Sequence, residues 1–344
     1  MHAMHSNAGP PLKPAVFLLP TKRPLEGRRQ KLLQLRASAS PTEGEPLTKT
    51  GFIADKNNQS NAYGLLAVIV AASAVGALAF PEQTLAVLLN ARATPVSLSA
   101  VRAAGASLIP VAASHQCLKD AASHNRLSSA TYKRLNLAVI FFWAIVLWIV
   151  VAAKLQSILP PTSFGILTAI SIFGTALPWL ISSSSGSSLV ALYKDFSSSY
   201  GTVLKPTGAT SAAYGFFSAA CYALGAGLFY FPHHFQLRYP ALLGASTAVP
   251  DFFWQMLANV YYASSVLFFV LKDASERGRL AASTFKNLNA SFAAASLTIL
   301  LNFVTEFLKL NHSIGDVGLG WSFQVLVLGL VFVVTSYNYL TARK

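Results

Sequence analysis

The sequence is poor in charged residues, and acidic ones are the scarcest. Only 11% of its 344 residues are charged, whereas soluble proteins carry about 25%. There are 12 acidic and 26 basic residues, and 53% of the chain is hydrophobic. This composition excludes an ordinary soluble domain and a disordered chain. It also leaves too little polar surface for the basic face of a nucleic-acid-binding protein, so no nucleic-acid partner is expected.

Cysteine is scarce as well. Cys117 and Cys221 lie in or beside apolar runs, and neither has a CxxC partner. A disulfide scaffold and a cysteine-based metal site are therefore excluded. Transmembrane haem binding requires facing histidines within helices, but His115 is the single histidine in an apolar segment. We expect neither a cofactor nor a metal.

The motifs of pumps and membrane hydrolases are missing. GxxxxGK[ST], GxSxG, HExxH and DxD do not occur, although phosphate-binding, nucleophilic and metal-dependent sites use such patterns. No catalytic residue is assigned, and the sequence is not expected to encode an enzyme.

Long apolar segments are abundant. A helix that spans a bilayer needs about 20 mostly apolar residues, and eight segments meet this requirement, although Arg102 and several serines make the second the weakest. The sequence therefore predicts an all-α polytopic membrane protein with about eight transmembrane helices. The segments are 62–80, 97–116, 135–154, 163–182, 212–231, 253–271, 289–308 and 318–340.

The segments form two sets of four because the sequence repeats itself. Residues 118–138 read LKDAASHNRLSSATYKRLNLA, and residues 271–291 read LKDASERGRLAASTFKNLNAS, with ten identities in 21 positions. Tyr63-Gly64 matches Tyr214-Gly215 at nearly the same offset. We predict a tandem duplication of a four-helix unit, and an even number of helices makes the two copies parallel.

Basic residues predict the orientation. Apart from the first forty residues, fourteen basic residues lie on one side of the predicted helices and five on the other. The side rich in Lys and Arg normally faces the compartment from which insertion occurs. Both ends of the chain and both LKDA segments are therefore expected on that side.

The first forty residues have a composition of their own. They hold seven basic residues and one acidic residue, and five prolines break any long helix. The stretch 35–40, LRASAS, resembles the cleavage region of chloroplast transit peptides, and an Arg-rich, acid-poor leader is typical of organellar import. The predicted divisions are 1–40 transit peptide, 41–61 flexible lead-in, 62–182 first unit, 183–211 Ser-rich linker, 212–340 second unit and 341–344 basic tail.

The repeated LKDA segment and the turn after it supply the first candidate site. One interpretation is structural: Lys near a helix end complements the helix dipole, and Thr131 or Thr284 caps the next helix. The other is a stromal site for anionic lipid headgroups, phosphate or an acidic partner. Its candidate residues are Lys119, Arg126, Lys133, Lys272, Arg279 and Lys286.

Polar residues at membrane depth form the second candidate site. Asn136 and Asn289 begin the third helix of each unit, and Asn302 and Glu306 share one face of the seventh helix. An ionisable group within the bilayer is costly and is a functional hypothesis by default. Glu306 is therefore a candidate for ion coupling, and the alternative is an ion pair or snorkelling at the helix end.

Three classes of function fit these features. The first is a carrier for a small solute or ion, with its path between the two units. The second is a non-catalytic structural, assembly or lipid-interacting factor, with membrane lipids or a plastid membrane complex as partners. The third is a membrane enzyme acting on lipid or pigment. The expected location is the chloroplast thylakoid or inner envelope, with the mitochondrial inner membrane as the alternative.

The orientation can be tested on isolated organelles. We expect a tag fused after Lys344 to lie on the stromal side, because the C-terminal tail belongs to the basic side of the bundle. Protease added to intact thylakoids should remove the tag without prior lysis. A tag that is protected until the thylakoid membrane is opened would contradict the predicted orientation.

Overall fold

The computed structural model describes residues 55–184, 188–231, 248–309 and 319–342, and within these ranges the chain is helical, without strands. The predicted leader at 1–40 lies outside the described residues, as do Arg343 and Lys344. The helices in the described ranges, numbered in chain order, are α1 Lys56–Ala79, α2 Pro81–Leu89, α3 Pro95–Ser123, α4 Ala130–Leu155, α5 Pro161–Ser184, α6 Leu189–Tyr200, α7 Ala209–Tyr230, α8 Ala248–Glu276, α9 Ser283–Lys309 and α10 Leu319–Thr341.

Eight of these helices are long and apolar enough to cross a bilayer, which confirms the predicted all-α polytopic membrane protein. They are α1, α3, α4, α5, α7, α8, α9 and α10. The other two helices are too short to span it: α2 has nine residues, and α6 has 12 and lies within the predicted Ser-rich linker.

The turns after α3 and α8 have the same geometry. Asn125 and Gly278, at equivalent positions of the repeat, have left-handed φ angles of 54° and 63°. The following amide donates a 2.8 Å hydrogen bond to the carbonyl of Ala121 in the first copy and of Ala274 in the second. This is the Schellman arrangement, which satisfies the last carbonyls of a helix. The repeated sequence thus encodes a helix stop followed by a short turn.

The helices that follow these turns begin earlier than predicted. α4 starts at Ala130 and α9 at Ser283. Lys133 and Lys286 therefore lie in the first helical turn and not before the helix. The N-cap of α4 is Ser129, which makes no side-chain capping hydrogen bond, so Thr131 does not cap this helix.

The two predicted repeats have the same pattern of helix contacts. In each, the first spanning helix packs on the second (α1 on α3, α7 on α8) and the third packs on the fourth (α4 on α5, α9 on α10). Between the repeats, α3 packs on α9, α4 packs on α8, and α3 also contacts α8. The second helix of each predicted repeat thus contacts the third helix of the other, and the parallel arrangement of the repeats stays a prediction.

Small residues allow the first two spanning helices of each repeat to cross closely. A Cβ on Gly105 of α3 would lie 2.7 Å from Ala77 Cβ and 3.1 Å from the carbonyl oxygen of Ala74 on α1. A Cβ on Gly225 of α7 would lie 3.1 Å from the carbonyl oxygen of Ala258 on α8. Ala74 aligns with Gly225, and Gly105 aligns with Ala258. The two crossings therefore use the same two positions, with the glycine on opposite helices.

We expect Gly105→Ala to destabilise the protein by about 1–3 kcal/mol, because the added methyl group overpacks the α1–α3 crossing. Adding Ala77→Gly should recover much of the loss. The matched control is Gly165→Ala, since a Cβ there meets nothing within 4 Å and alanine favours a helix. The midpoint of thermal unfolding in detergent measures all three, and an unchanged midpoint for Gly105→Ala would show that the crossing tolerates a methyl group.

Candidate functional site

The predicted intramembrane asparagines form the same hydrogen bond in each repeat. Tyr63 donates its hydroxyl to Asn136 Oδ1, and Tyr214 donates to Asn289 Oδ1, both at 2.6 Å. All four residues are buried. The amide nitrogen of Asn136 also donates to the Pro178 carbonyl at 3.0 Å. Asn136 therefore links α4 to both α1 and α5, and Asn289 links α9 to α7.

Other polar side chains of the spanning helices bond to different helices. Asn302 donates to the carbonyl and hydroxyl of Ser99 at 3.2 and 3.1 Å, which joins α9 to α3. Gln324 donates to the Tyr261 hydroxyl at 2.9 Å, which joins α10 to α8. The side chain of Glu306 lies outside the described part of the structure, so its ion-coupling role stays a prediction.

The lysine of each LKDA segment lies along the first helix of its repeat. A Cβ on Gly64 would lie 3.3 Å from Lys119 Cδ, and a Cβ on Gly215 would lie 3.6 Å from Lys272 Cδ. The tyrosine of the matched Tyr-Gly dipeptide bonds to the third helix in both repeats. Gly64 leaves space for the lysine stem of the second helix, whereas Gly215 leaves space chiefly for the carbonyl oxygen of Val203.

Lys272 is buried, and a carboxylate compensates its charge. The residue is 1% exposed. Its ammonium lies 2.6 Å from Glu276 Oε1 and 3.3 Å from the carbonyl oxygen of Lys205. In the first repeat, Ser123 occupies the position of Glu276, and Lys119 is only half-buried. Among the described residues, the second repeat alone thus pairs a buried lysine with a carboxylate, whose own side chain is 22% exposed.

The two predicted arginines are paired with the aspartate of their own repeat. Arg126 Nη2 lies 3.2 Å from Asp120 Oδ2, and Arg279 Nη2 lies 3.5 Å from Asp273 Oδ2. Asp273 also accepts from Arg277 at 2.8 Å. These pairs close the turns and reduce the positive charge that each turn presents.

Arg134 connects the two repeats. Its Nη1 lies 3.6 Å from Asp273 Oδ2, and its guanidinium carbon lies 5.2 Å from the ring centroid of Phe269. The residue is 8% exposed, and 3.6 Å allows an ion pair but not a hydrogen bond. The equivalent residue of the second repeat is Asn287, so this contact has no counterpart.

The lysines after the turns have weaker contacts. The Lys286 ammonium lies 5.8 Å from the Tyr339 ring centroid, and Lys133 is half-buried. The Thr284 hydroxyl bonds to the Tyr132 hydroxyl at 2.9 Å across the two repeats. The six candidate anion- or lipid-binding residues thus include four with a described acidic or aromatic partner, and the anion-binding role stays a prediction.

His115 is a satisfied core residue. Its Nδ1 donates to the Val111 carbonyl at 2.8 Å, and its Nε2 accepts from Trp143 Nε1 at 3.1 Å. Cys117 and Cys221 are buried free thiols. Within the described ranges, no three His, Cys, Asp or Glu residues form a group that could hold a metal ion.

A cavity of about 410 Å³, here called the apolar cavity, is lined by α1, α2, α3, α4, α5 and α8. Ser73 and Ser171 are in its wall, but their hydroxyls donate to carbonyls of their own helices at 2.9 and 2.7 Å. Gln83 and Thr84 of α2 supply its other polar side chains. The rest of the lining is hydrophobic or glycine, and Leu108, Phe253 and Met256 are examples.

A second cavity of about 560 Å³, here called the aromatic cavity, lies between α4, α6, α7 and α8. Nine of its sixteen lining residues are aromatic, compared with 12% of the whole chain. Two come from α4, three from α6, three from α7 and one from α8. The lining also includes Asn259 and Ser265 of α8.

Sequence analysis missed the aromatic cavity because its residues come from four helices that are distant in the chain. Part of this cavity could have been predicted by comparing the sequences of the two repeats. Three lining residues of the second repeat replace alanines of the first: Tyr222, Tyr230 and Asn259 stand where the first repeat has Ala71, Ala79 and Ala106.

We expect Glu276→Leu to destabilise the protein by about 3 kcal/mol, because it leaves the Lys272 ammonium buried without a carboxylate. Adding Lys272→Met should recover most of the loss, since it removes the uncompensated charge. Lys119→Met is the matched control in the first repeat and should change the unfolding midpoint little. Equal midpoints for Glu276→Leu and the double variant would contradict this account.

Comparison with known proteins does not indicate a function, so the function is inferred from the residues described above. The sequence matches no protein-family model. No curated protein is significantly similar to it in sequence.

Proposed function

We propose that the protein is a non-catalytic, lipid-interacting protein of a plastid membrane, which holds the apolar part of a lipid between its helices. The observation that carries the proposal is the difference between the polar side chains of the spanning helices and the walls of the cavities. The side chains of Asn136, Asn289, Asn302 and Gln324 are bonded between helices, whereas the two described cavities of ligand size have mostly apolar or aromatic walls.

The polar residues support this proposal by where their hydrogen bonds go. A carrier for ions or small polar solutes needs polar groups that face a common path. Asn136, Asn302 and Gln324 each bond to a different neighbouring helix. Groups that are already paired lose those bonds if they turn to a solute. We therefore favour lipid interaction over the carrier function, which is the alternative.

The apolar cavity has the chemistry of an acyl-chain site. Lipid tails are as apolar as a leucine side chain, so entry from the bilayer gains little from the hydrophobic effect and depends on packing and polar contacts. The wall supplies packing from six helices, and Gln83 and Thr84 supply polar groups for the less apolar end of the molecule. A single chain of a fatty acid or glycerolipid fits this description.

Location and orientation belong to the same proposal. The Arg-rich, acid-poor leader supports import into a plastid. An even number of spanning helices, as the eight candidates of the described residues give, supports placing both ends of the described chain on the same side of the membrane, and the excess of basic residues supports the stromal side. Membrane lipids are the proposed partners, and no nucleic acid is expected.

Filling the apolar cavity tests the proposal. A Cβ on Gly76 would meet only Thr84 Oγ1, at 3.8 Å, and Gly76 lines the cavity, so a side chain has room to start there and Gly76→Leu should occupy part of the cavity. We expect a palmitate probe bearing a diazirine to label cavity residues several-fold less in this variant. Labelling is mapped by mass spectrometry and divided by that of Ile166, an exposed residue outside the lining.

The matched control is Gly165→Leu, which places the same side chain where a Cβ meets nothing within 4 Å. Its ratio of cavity to surface labelling should equal that of the parent protein. Labelling of the cavity that is unaffected by Gly76→Leu would refute the proposal. Rapid protein-dependent efflux of rubidium or small polar solutes from liposomes would favour the carrier function instead.

A further inference from the structure

We infer that the aromatic cavity is a binding site for a phenolic lipid, a molecule with a hydroxylated aromatic ring and a long apolar tail. This inference rests on the proposed lipid-interacting function and adds a second site with a different ligand chemistry. It depends on a buried acceptor without a partner, on the aromatic walls and on the depth of the site.

Asn259 supplies the acceptor. Its Nδ2 donates to the carbonyl of Phe142 at 3.0 Å, and a carbonyl only accepts, so the amide orientation is fixed. The residue is 0% exposed, and its Oδ1 has no hydrogen-bond partner among the described residues. A buried acceptor left unpaired is destabilising. Asn259 lines the aromatic cavity, so a side-chain rearrangement that opens Oδ1 to the cavity would let a ligand hydroxyl donate to it and remove that cost.

The Tyr200 and serine hydroxyls at the cavity are already paired. The Tyr200 hydroxyl lies 2.6 Å from Ser265 Oγ and 3.0 Å from Ser218 Oγ. Ser218 in turn donates to the Ser265 carbonyl at 2.7 Å. This cluster lies six residues along α8 from Asn259, a rise of about 9 Å. Asn259 Oδ1 is therefore the buried side-chain acceptor of the described lining that has no partner, and the tyrosine hydroxyls of the lining are further polar groups.

The walls favour a ring over a saturated chain. Tyr262 has two edge-on aromatic neighbours, Tyr222 at 5.6 Å and Phe229 at 6.3 Å between centroids. Aromatic rings prefer such edge-to-face or offset-stacked partners, which add about 0.5–1.5 kcal/mol beyond the area they bury. An acyl chain has no ring to use these positions, whereas a phenolic ring does.

The depth of Asn259 excludes a phospholipid headgroup as the donor. The spanning part of α8 is Asp251–Glu276, so Asn259 lies eight residues, or about 12 Å, from the nearer end. The hydrocarbon core is about 30 Å thick, which places the acceptor well inside it. A phenolic lipid carries its donor on an otherwise apolar molecule and can bring it to this depth.

The first repeat has no equivalent site. Ala106 stands at the position of Asn259, and Ala71, Ala79 and Ile109 stand at the positions of Tyr222, Tyr230 and Tyr262. The residues that give the cavity its acceptor and several of its rings are therefore specific to the second repeat. The variants that remove them restore the residues that the first repeat already has at these places.

The test compares two ligands that differ in one group. The full-length protein is placed in phosphatidylcholine nanodiscs and equilibrated with α-tocopherol, a phenolic lipid, or with its methyl ether, which lacks the donor. Partition between loaded and empty nanodiscs is measured by mass spectrometry. We expect the parent protein to bind α-tocopherol about tenfold more tightly than the ether, since one hydrogen bond to a buried acceptor is worth roughly 1.4 kcal/mol.

Asn259→Ala should abolish this preference by weakening α-tocopherol binding about tenfold, with ether binding within twofold of the parent. Asn302→Ala, which removes a different buried asparagine, is the control and should keep the preference. Tyr222→Ala combined with Tyr230→Ala should weaken both ligands. Each variant is first checked for a single species by size-exclusion chromatography.

Equal partition of the two ligands into the parent protein would overturn the inference, and this comparison needs no variant to fold. Partition of neither ligand, or a preference that survives Asn259→Ala, would also overturn it. These failures are distinct from a failure of the proposed function, which the palmitate labelling of the apolar cavity decides independently.

Discussion

The hydrocarbon core of a membrane contains no water, so a polar side chain there is costly unless it finds a partner within the protein. The helix bundle follows this constraint. Tyr63 bonds to Asn136 and Tyr214 to Asn289, and each bond fixes the first helix of a repeat against the third. The first helix can reach both of its neighbours because small residues at Gly105 and Gly225 let it cross the second helix closely. Polar pairing and close crossing therefore depend on each other.

The two repeats share this framework and differ in what is added to it. Glu276 compensates a lysine that is buried only in the second repeat, and Arg134 contributes a contact that only the first repeat can make. Asn259 and several rings of the aromatic cavity likewise have no equivalents in the first repeat. The predicted duplication and the proposed site in the aromatic cavity together describe a protein that keeps a symmetric scaffold while one copy acquires a binding site.

Hydropathy and periodicity were sufficient to predict the eight spanning helices. They did not predict which of these helices are most buried by their neighbours. The segment at 97–116 was the weakest by composition, yet α3 contacts helices of both repeats. Its Ser107 and Ser114 donate to carbonyls of their own helix at 2.7 Å, which removes the polarity that a hydropathy scale counts. Asn136 and Asn289 were predicted as candidates, but their tyrosine partners lie more than 70 residues away. The aromatic cavity was not predictable, because its walls are brought together by the packing of four helices.

The interleaving of the repeats has a consequence for biosynthesis. The second helix of each repeat packs on the third helix of the other, so the surfaces that cover α3 and α4 are not in place until the helices of the second repeat have also inserted. Until then Arg134 lacks Asp273, and Ser99 lacks Asn302. The first half alone is therefore only partly packed, and it is a stage at which an insertase or chaperone has an uncovered surface to hold.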